Sequence, residues 1–277
     1  MIVYVNGRCL PLEQASISPF DRGFLFGDAI YEVVRFHRGR PFHLEEHLSR
    51  MREGLDALRI EADAGFYVPA AELLLAENSL AEGDAIVYAQ VSRGAAPRTH
   101  AFPPEGTRPT VFAFARASDP PPAEGGGRAI LVPDERWGRC DIKTVMLLPN
   151  VLAAQQAREA GMTDAILVRD GVALEATKAN LFASIGGRVR TAPLSHAILP
   201  GVTRGATIAA ARAIGFPVEE RAFSVDEMLS AEEVFLASTT LWTYSLVEIA
   251  ARRIGDGRPG PVAARLNGVL RAEFAGS

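Results

Sequence analysis

The chain has 277 residues, enough for one large domain or two medium ones with a substantial core. Its 48% hydrophobic and 22% charged residues are those of a globular protein and exclude a disordered or fibrous chain. The net charge of −4 leaves no global basic footprint for nucleic acid.

Two further classes of protein are excluded by local features of the sequence. Cys9 and Cys140 stand far apart and give neither a disulfide framework nor a metal-binding spacing. No stretch has the length of a membrane span, and the N-terminus MIVYVNGR lacks the charged start and apolar core of a signal peptide. We therefore expect a cytoplasmic protein without a membrane partner.

The first half of the chain mixes predicted strands and helices. IVYVNGRCL predicts a hairpin, because β-branched and aromatic residues flank the favoured turn Asn6-Gly7. AIYEVVRFHRGRPF predicts a second strand pair, which turns near Arg38-Gly39. EEHLSRMREGLDALRI and PAAELLLAENSL predict helices, and DAIVYAQVSRG and PTVFAFARA predict strands. This half is therefore α+β.

The clearest break in the chain is SDPPPAEGGG, a Pro-rich and then Gly-rich stretch with nothing to pack. It predicts a small domain over residues 1–118, a linker over 119–127 and a larger domain over 128–277.

The second half is predicted to be richer in strands. RAILVP, DAILVRDG and VALEATKANLFASIGGRV predict short strands separated by Asp-Gly and Gly-Gly turns. PNVLAAQQAREAG predicts a helix with Pro149 at its start and Gly161 after its end, and TRGATIAAARAIG predicts another. Because strands outnumber helices, we expect a barrel-like second domain.

Lysine is rare in this sequence. Of 29 lysines and arginines, only Lys143 and Lys178 are lysines. Arginine can replace lysine as a surface cation but not as an amine nucleophile, because its guanidinium stays protonated. The surviving lysines therefore indicate amine chemistry, and the alternative is that they are left over by chance.

The motif HLEEH, from His43 to His47, has the spacing of inverted zinc peptidases. That chemistry needs both histidines on one helix, and Pro41-Phe42 directly precedes His43. The start of a helix is the better interpretation, so no metal site is predicted.

Other segments are suited to binding anions. LPGVTRGATIAAA leads a glycine-containing turn into a helix, whose N-terminus offers free N–H groups, and FLASTTLW places three hydroxyls after a strand. Together they indicate a phosphate, although each could be simple capping or strand termination. In VSRGAAPRTHAFP, Arg98 and His100 could bind a carboxylate or belong to a solvated loop. Glu175 is either a surface residue or the partner of a ring nitrogen.

An amine, a phosphate site, a ring-nitrogen partner and a carboxylate trap are together the parts of a pyridoxal-phosphate (PLP) enzyme acting on amino acids. The chain resembles the class IV (fold-type IV) PLP aminotransferases, most closely the bacterial D-amino-acid branch, over nearly its whole length. The resemblance rests on DRGFLFGDAIYEVVR, EEHLSR, RCDIK, EATKANLFASIGGRVRTAPLSHAILPGVTR and the PRTH that follows VSRG.

The resemblance implies a small α/β sandwich domain, a larger pseudo-barrel domain and PLP between them. At matching positions, Lys143 is implied as the Schiff-base lysine and Glu175 as the partner of the pyridine nitrogen. The implied phosphate ligands are Arg50, Val202, Thr203, Ser238 and Thr239. The implied ligands of the substrate carboxylate are Tyr31, Arg98 and His100, the last two from the neighbouring subunit of a homodimer.

The resemblance implies ping-pong transamination between a D-amino acid, such as D-alanine, and a 2-oxo acid, such as 2-oxoglutarate. The alternatives are a branched-chain L-aminotransferase, an aminodeoxychorismate lyase and an R-selective amine transaminase. A PLP-binding protein without activity is the alternative from another class. The chain departs from the resemblance at ATKAN, where the D-alanine enzymes are serine-rich, and at Met146, where asparagine is usual.

Overall fold

A computed structural model describes residues 1–119 and 126–276. These residues form two compact units. The first comprises residues 1–119 with Ile142–Met146, and the second comprises residues 126–141 with Leu147–Gly276. Most of the predicted linker lies outside the described residues, so its bounds stay a prediction. The segment Ile142–Met146 groups with the first unit although it follows that linker in sequence.

The first unit is built on an antiparallel sheet with strand order β2-β1-β6-β5-β3-β4. Its strands are β1 (Ile2–Val5), β2 (Arg8–Pro11), β3 (Ala29–His37), β4 (Arg40–Pro41), β5 (Asp84–Ser92) and β6 (Thr110–Ala117). Its helices are α1 (Arg22–Phe26), α2 (Leu44–Leu58) and α3 (Tyr67–Glu77), and short 3₁₀ turns lie at Leu12–Gln14 and Ala64–Phe66.

The local signals for this unit are confirmed. Asn6 and Gly7 have φ angles of 48° and 89°, as a two-residue hairpin turn requires. Helix α2 buries Leu48, Met51 and Leu55 at the predicted helical spacing, and it packs against β3.

The segment Ile142–Met146 extends this sheet beside β3. The Tyr31 N–H donates to the Lys143 carbonyl at 3.0 Å, and the Val145 N–H donates to the Ala29 carbonyl at 3.1 Å. The backbone around Lys143 is therefore fixed by hydrogen bonds of the β type.

The second unit contains a closed barrel. Strands β10, β14, β15, β7, β8 and β9 follow one another in that order, and pairing of Asn180 on β10 with Glu175 on β9 closes the ring. The strands of this unit are β7 (Gly127–Pro133), β8 (Asp164–Arg169), β9 (Val172–Ala176), β10 (Asn180–Ile185), β11 (Arg188–Thr191), β12 (Val218–Glu220), β13 (Phe223–Ser224), β14 (Glu233–Ser238), β15 (Trp242–Ile249) and β16 (Arg252–Arg253). The α+β class and the barrel-like second domain are confirmed.

The barrel is filled by side chains from alternating strand positions. Ile166, Leu181, Leu236 and Leu246 are each at most 2% exposed and belong to one apolar cluster. Burying each such side chain contributes roughly 1.5–3 kcal/mol.

The helices of the second unit are α4 (Leu148–Glu159), α5 (Val202–Ala213), α6 (Val225–Leu229) and α7 (Pro261–Gly276). The first two confirm the predicted helices, whereas α6 and α7 were not predicted. The Glu233 carboxylate caps α7, because it accepts from the Val262 and Ala263 N–H groups at 2.8 and 3.1 Å. Gly260 must be glycine there, since a Cβ would collide with the Glu233 side chain.

None of the helices in the described part of the chain combines the length and the apolar character that crossing a membrane requires.

Candidate active site

Lys143 and Tyr31, two of the predicted site residues, lie in contact in the first unit. The Lys143 Nζ lies 4.2 Å from the centroid of the Tyr31 ring, and the backbones of the two residues share a hydrogen bond. The face of an aromatic ring attracts a cation placed over it. Sheet pairing therefore places the Lys143 backbone beside Tyr31, and the Lys143 side chain lies over the Tyr31 ring.

A buried ion cluster lies between strand β3 and helix α2. The Glu32 carboxylate accepts from Arg50 at two points, with Nε–Oε1 and Nη2–Oε2 distances of 2.7 and 2.8 Å, and from His47 Nδ1 at 2.8 Å. Glu32 and His47 are each 1% exposed, and Arg50 is 9% exposed. Arg50, predicted to bind phosphate, is thus oriented by Glu32, and its role toward phosphate stays a prediction.

Electrostatics in this cluster set the charges of its members. Burial acts to raise the pKa of Glu32, but the charge of Arg50 and the hydrogen bonds from His47 and Arg50 hold that pKa well below its usual range. Burial lowers the pKa of His47, and the Arg50 and Lys143 cations lower it further. The hydrogen bond and the charge of Glu32 act to raise it. His47 is therefore a neutral imidazole, and it lies close enough to Lys143 for the Lys143 charge to affect its pKa.

Arg98 and His100, the predicted carboxylate trap, meet on one aromatic ring. The Arg98 guanidinium lies 5.1 Å from the Phe26 centroid, and the His100 ring meets Phe26 edge-on at 5.7 Å. Both side chains belong to exposed residues, so a carboxylate could reach them. The structure places both side chains on one ring, and their role as a carboxylate trap stays a prediction.

A second set of arginines fixes the loop that carries this trap. Arg22 donates to the carbonyls of Thr99 and Ala101 at 2.7 and 3.3 Å, and to Asp28 at 2.8 Å. Arg93 forms a two-pronged pair with the same Asp28 at 2.8 and 2.9 Å. Two cations on one carboxylate tie the loop backbone to the sheet.

In the second unit, Glu175 is buried on β9, 4% exposed, among hydrogen-bond donors. Its carboxylate accepts from Arg136 Nη1, from Asn180 Nδ2 at 3.1 Å and from the Leu199 N–H at 3.2 Å. Burial raises the pKa of Glu175, while the charge and hydrogen bond of Arg136 act to lower it. Such a carboxylate can hold a proton on a neighbouring nitrogen base.

The predicted phosphate ligands of this unit lie at the start of α5 and at the end of β14, where Ser238 is the last strand residue and Thr239 follows it. Thr203 is 2% exposed in the first turn of α5, whose leading N–H groups have no carbonyl within the helix to accept them. Ser238 Oγ is buried and has no hydrogen-bond partner among the described residues. Free N–H groups, hydroxyls and the positive end of a helix dipole fit a phosphate.

Gly201, the N-cap of α5, allows a close approach that this turn needs. A Cβ at this position would collide with the amide oxygen of Asn180, whose Nδ2 donates to Glu175 and to the Leu199 carbonyl. Arg204, the last residue of the LPGVTR motif, donates to the Ala192 carbonyl at 2.7 Å and anchors the helix.

The interpretation of HLEEH as a helix start is confirmed. Helix α2 begins at Leu44, so His43 precedes the helix and pairs with Glu46, while His47 faces Glu32. Within residues 1–119 and 126–276, no three His, Cys, Asp or Glu side chains are grouped so that they could hold a metal ion.

The positions that depart from the family pattern differ in their surroundings. Lys178 is exposed, whereas Ala179 is 6% exposed and packs in the barrel cluster. Met146 is 42% exposed and lies against Gly27, where an added Cβ would meet the Met146 Cγ at 2.5 Å. The Met146 side chain thus packs against Gly27, which ends α1.

Three polar residues of these clusters were not predicted from the sequence as site residues: Glu32, its partner His47, and Arg136. A signal existed for Glu32, since this carboxylate stands between the apolar residues Ile30 and Val34 at alternate positions of a strand. No comparable signal exists for Arg136, which lies outside regular structure and meets Glu175 only through the tertiary fold.

Comparison with known proteins shows which family this chain is similar to. Residues 29–249 match the family described as amino-transferase class IV. The D-alanine aminotransferase of Bacillus licheniformis is 37% identical to this chain over 98% of it and 96% of that protein. The enzyme of the same name from Staphylococcus haemolyticus is 36% identical over 95% of this chain and 94% of that protein.

Solved structures give the same result for the fold. The branched-chain amino acid aminotransferase of T.th., solved with pyridoxamine 5′-phosphate, is 25% identical, covers 99% of this chain and 94% of its own, and has a TM-score of 0.88. The branched-chain amino acid aminotransferase from Escherichia coli, 23% identical with a TM-score of 0.87 over 99% and 94% of the two chains, shows the fold alone. The chain belongs to the class IV aminotransferases, PLP-dependent enzymes of fold type IV that transfer an amino group between an amino acid and a 2-oxo acid.

Proposed function

We propose that this aminotransferase acts on D-amino acids such as D-alanine, with a 2-oxo acid such as 2-oxoglutarate as acceptor, in a ping-pong reaction. The observation that carries the proposal is the similarity, at 31–37% identity over at least 95% of the chain, to proteins named D-alanine aminotransferase. The placement of Arg98 and His100 on Phe26 supports it, because two adjacent donors suit a substrate carboxylate.

Each residue has a role in this proposal that its surroundings support. When bound, PLP supplies the electron-withdrawing ring that makes the Cα proton of an amino acid acidic. Lys143 is the amine that takes and returns this proton, and Tyr31 positions it. Glu175 holds the proton of the ring nitrogen. Binding of the phosphate is assigned to Arg50, Val202, Thr203, Ser238 and Thr239.

A homodimer is part of the proposal, with Arg98 and His100 serving the neighbouring subunit. Exposed apolar side chains in each unit support self-association. Phe20 and Phe24 are 57% and 76% exposed in the first unit, and Leu148, Val151 and Leu152 are 68%, 58% and 52% exposed in the second. Sedimentation velocity of the parent protein and of the Leu152→Glu variant tests the assembly. A cytoplasmic location stays a prediction, to be tested by cell fractionation.

A branched-chain L-aminotransferase is the second candidate. It is favoured by the TM-score of 0.88 to the T.th. branched-chain enzyme, at a lower identity of 25%. The PRTH segment that carries Arg98 and His100 favours the D-amino-acid assignment.

The absorbance spectrum of the purified protein, before and after addition of D- or L-alanine, tests the proposal. We expect D-alanine to change the cofactor spectrum and to yield pyruvate with 2-oxoglutarate, and L-alanine or L-leucine to react far more slowly. Faster turnover of an L-amino acid would reject the D-specific assignment. Parallel assays of aminodeoxychorismate cleavage and of R-amines test the remaining alternatives.

A further inference from the structure

Arg136 links Glu175 to a second buried carboxylate in the barrel unit. Its Nη1 donates to Glu175 Oε1, its Nε donates to Asp134 Oδ1 at 2.8 Å, and its Nη2 donates to Asp134 Oδ2 and to the Ala197 carbonyl, each at 3.0 Å. The side chains of Arg136, Asp134 and Glu175 are 7%, 0% and 6% exposed. The guanidinium is therefore held at both ends, and rotation would break several hydrogen bonds at once.

The charges along this line alternate. Arg169, with its side chain 35% exposed, donates to Asp134 Oδ2 at 2.8 Å, which gives the sequence Arg169, Asp134, Arg136, Glu175 from the surface inward. The hydrogen bonds and charges of Arg136 and Arg169 overcome burial and lower the pKa of Asp134, so Asp134 stays an anion. The Arg136 cation thus faces Glu175 on one side, and on the other side its charge is balanced by the Asp134 anion.

Among residues 1–119 and 126–276, the other donors to Glu175 are uncharged, and the Asp134 anion acts with burial to raise the pKa of Glu175. Asn180 Nδ2 and the Leu199 N–H both donate to Oε2. Burial raises the pKa of the Cys140 thiol, so it carries no charge near neutrality. Arg136 is therefore the cation that opposes the effect of burial on Glu175.

The pattern of donors also selects one oxygen of the carboxylate. An ionised carboxylate has about four acceptor positions. Three are used, two on Oε2 and one on Oε1, which leaves one on Oε1, the oxygen that Arg136 contacts.

We propose that Arg136, oriented by Asp134, is a positioning residue that keeps Glu175 ionised and leaves Oε1 as the acceptor for the N–H of the cofactor ring. The inference rests on the proposed role of Glu175 toward that nitrogen. Without the Arg136 cation, a carboxyl so deeply buried takes up a proton and can no longer stabilise a protonated ring nitrogen.

The test compares full-length Arg136→Met, Arg136→Lys, Glu175→Gln and the double variant Arg136→Met/Glu175→Gln with the parent protein and with Arg190→Met. The last variant is the matched control, because Arg190 pairs with Glu219 at 2.7 Å in the same unit and does not contact Glu175. Infrared spectra at pH 7 report a protonated carboxyl directly, and titration with PLP reports cofactor affinity independently of turnover.

We expect Arg136→Met to show a protonated-carboxyl band that the added Glu175→Gln change removes, since loss of an adjacent cation raises a carboxyl pKa by roughly one to three pH units. PLP affinity should fall about tenfold or more, because each pH unit corresponds to about a tenfold change in equilibrium. Arg136→Lys should keep Glu175 ionised, and Arg190→Met should match the parent in both measurements.

Two different results would overturn the inference, and they are distinguishable. An ionised Glu175 and parental PLP affinity in Arg136→Met would reject the role of Arg136. Parental PLP affinity and turnover in Glu175→Gln would instead reject the role of Glu175 in the proposed function.

If near-ultraviolet circular dichroism shows that Arg136→Met is not folded, the Asp134→Asn variant tests the role of Arg136 instead. It should lower kcat at least about tenfold with Glu175 still ionised, and parental kcat would reject the orienting role.

Discussion

Arg50 and Glu32 form a two-pronged ion pair in the interior of the first unit, with N–O distances of 2.7 and 2.8 Å. The pair joins helix α2 to strand β3, and His47 adds a third donor at 2.8 Å. Because Glu32 is 1% exposed, its charge depends on these partners rather than on water.

Glu32→Gln should therefore destabilise the protein strongly, since it leaves the buried Arg50 cation without its carboxylate. We expect the free energy of unfolding to fall by about 3–5 kcal/mol. Urea unfolding followed by circular dichroism measures this change.

The matched control for that variant is Glu45→Gln on the same helix. Glu45 pairs with Arg52 at 2.7 Å, but the two side chains are 74% and 49% exposed. An exposed pair contributes at most about 1 kcal/mol. Similar losses in the two variants would contradict a special role of the buried pair.

His47 should make stability depend on pH below neutrality. Burial lowers its pKa in the folded state below the ordinary value of 6.5, so the unfolded chain binds more protons as the pH falls past 6.5. Stability from this group is therefore present above pH 6.5 and is lost below it. The lowered pKa of Glu32 adds a second loss below about pH 4.5, whereas the raised pKa of Glu175 acts in the opposite direction.

Chemical unfolding of the parent and of His47→Asn at several pH values between 7 and 5 isolates the histidine. The variant should be less stable at pH 7, and the difference between the two proteins should shrink as the pH falls. His196→Asn is the control, because the His196 side chain is 69% exposed. A constant difference across this range would contradict the prediction.

Lys143→Arg should abolish transamination although it keeps the charge, because a guanidinium cannot serve as the amine nucleophile. Lys178→Arg changes an exposed lysine in the same way and should keep most of the activity. Initial rates with D-alanine and 2-oxoglutarate compare the two. Normal turnover by the Lys143 variant would remove this residue from the chemistry.

Substitutions of Glu175 should be graded by charge. Glu175→Asp keeps an anion beside the ring nitrogen, whereas Glu175→Lys places a cation there and disfavours protonation of the ring. We expect Glu175→Lys to lose far more activity than Glu175→Asp in steady-state assays. Equal activities would place Glu175 outside the cofactor site.

Much of this fold could be predicted from local signals. The Asn6-Gly7 turn, the apolar spacing of α2 and the strands flanking Glu175 each depend on neighbouring residues. Helix α6 also had a local signal, a capping box formed by Ser224 and Glu227, that was not used. Lys143 and Glu175 could be singled out from residue type together with the family resemblance.

The rest depends on contacts between distant parts of the sequence. The β9–β10 pairing that closes the barrel is short, and its position follows from the order of the other strands. The Arg136–Glu175 pair spans 39 positions, and the Glu32–Arg50 pair joins a strand to a helix. Buried charged pairs of this kind leave no periodic pattern in the sequence, because the two partners can stand at any separation along the chain.

The trap formed by Arg98 and His100 decides between the D-amino-acid enzyme and its nearest rivals. If these residues bind the substrate carboxylate, removing the Arg98 side chain removes a charge-assisted contact that the sheet and Phe26 hold in place. Loss of such a contact lowers kcat/KM by about 10- to 100-fold. The loss should appear with amino acids and 2-oxo acids alike, since both present the same carboxylate.

Arg98→Ala should therefore lower kcat/KM for D-alanine, keep the PLP content of the parent protein and leave turnover of carboxylate-free amines nearly unchanged. Arg108→Ala is the matched control, because Arg108 is an exposed arginine between the same two strands, β5 and β6. Steady-state kinetics with D-alanine, pyruvate and an R-amine compare the three proteins. Undiminished efficiency toward D-alanine in Arg98→Ala would reject the carboxylate trap and, with it, the strongest residue-level support for D-amino-acid specificity.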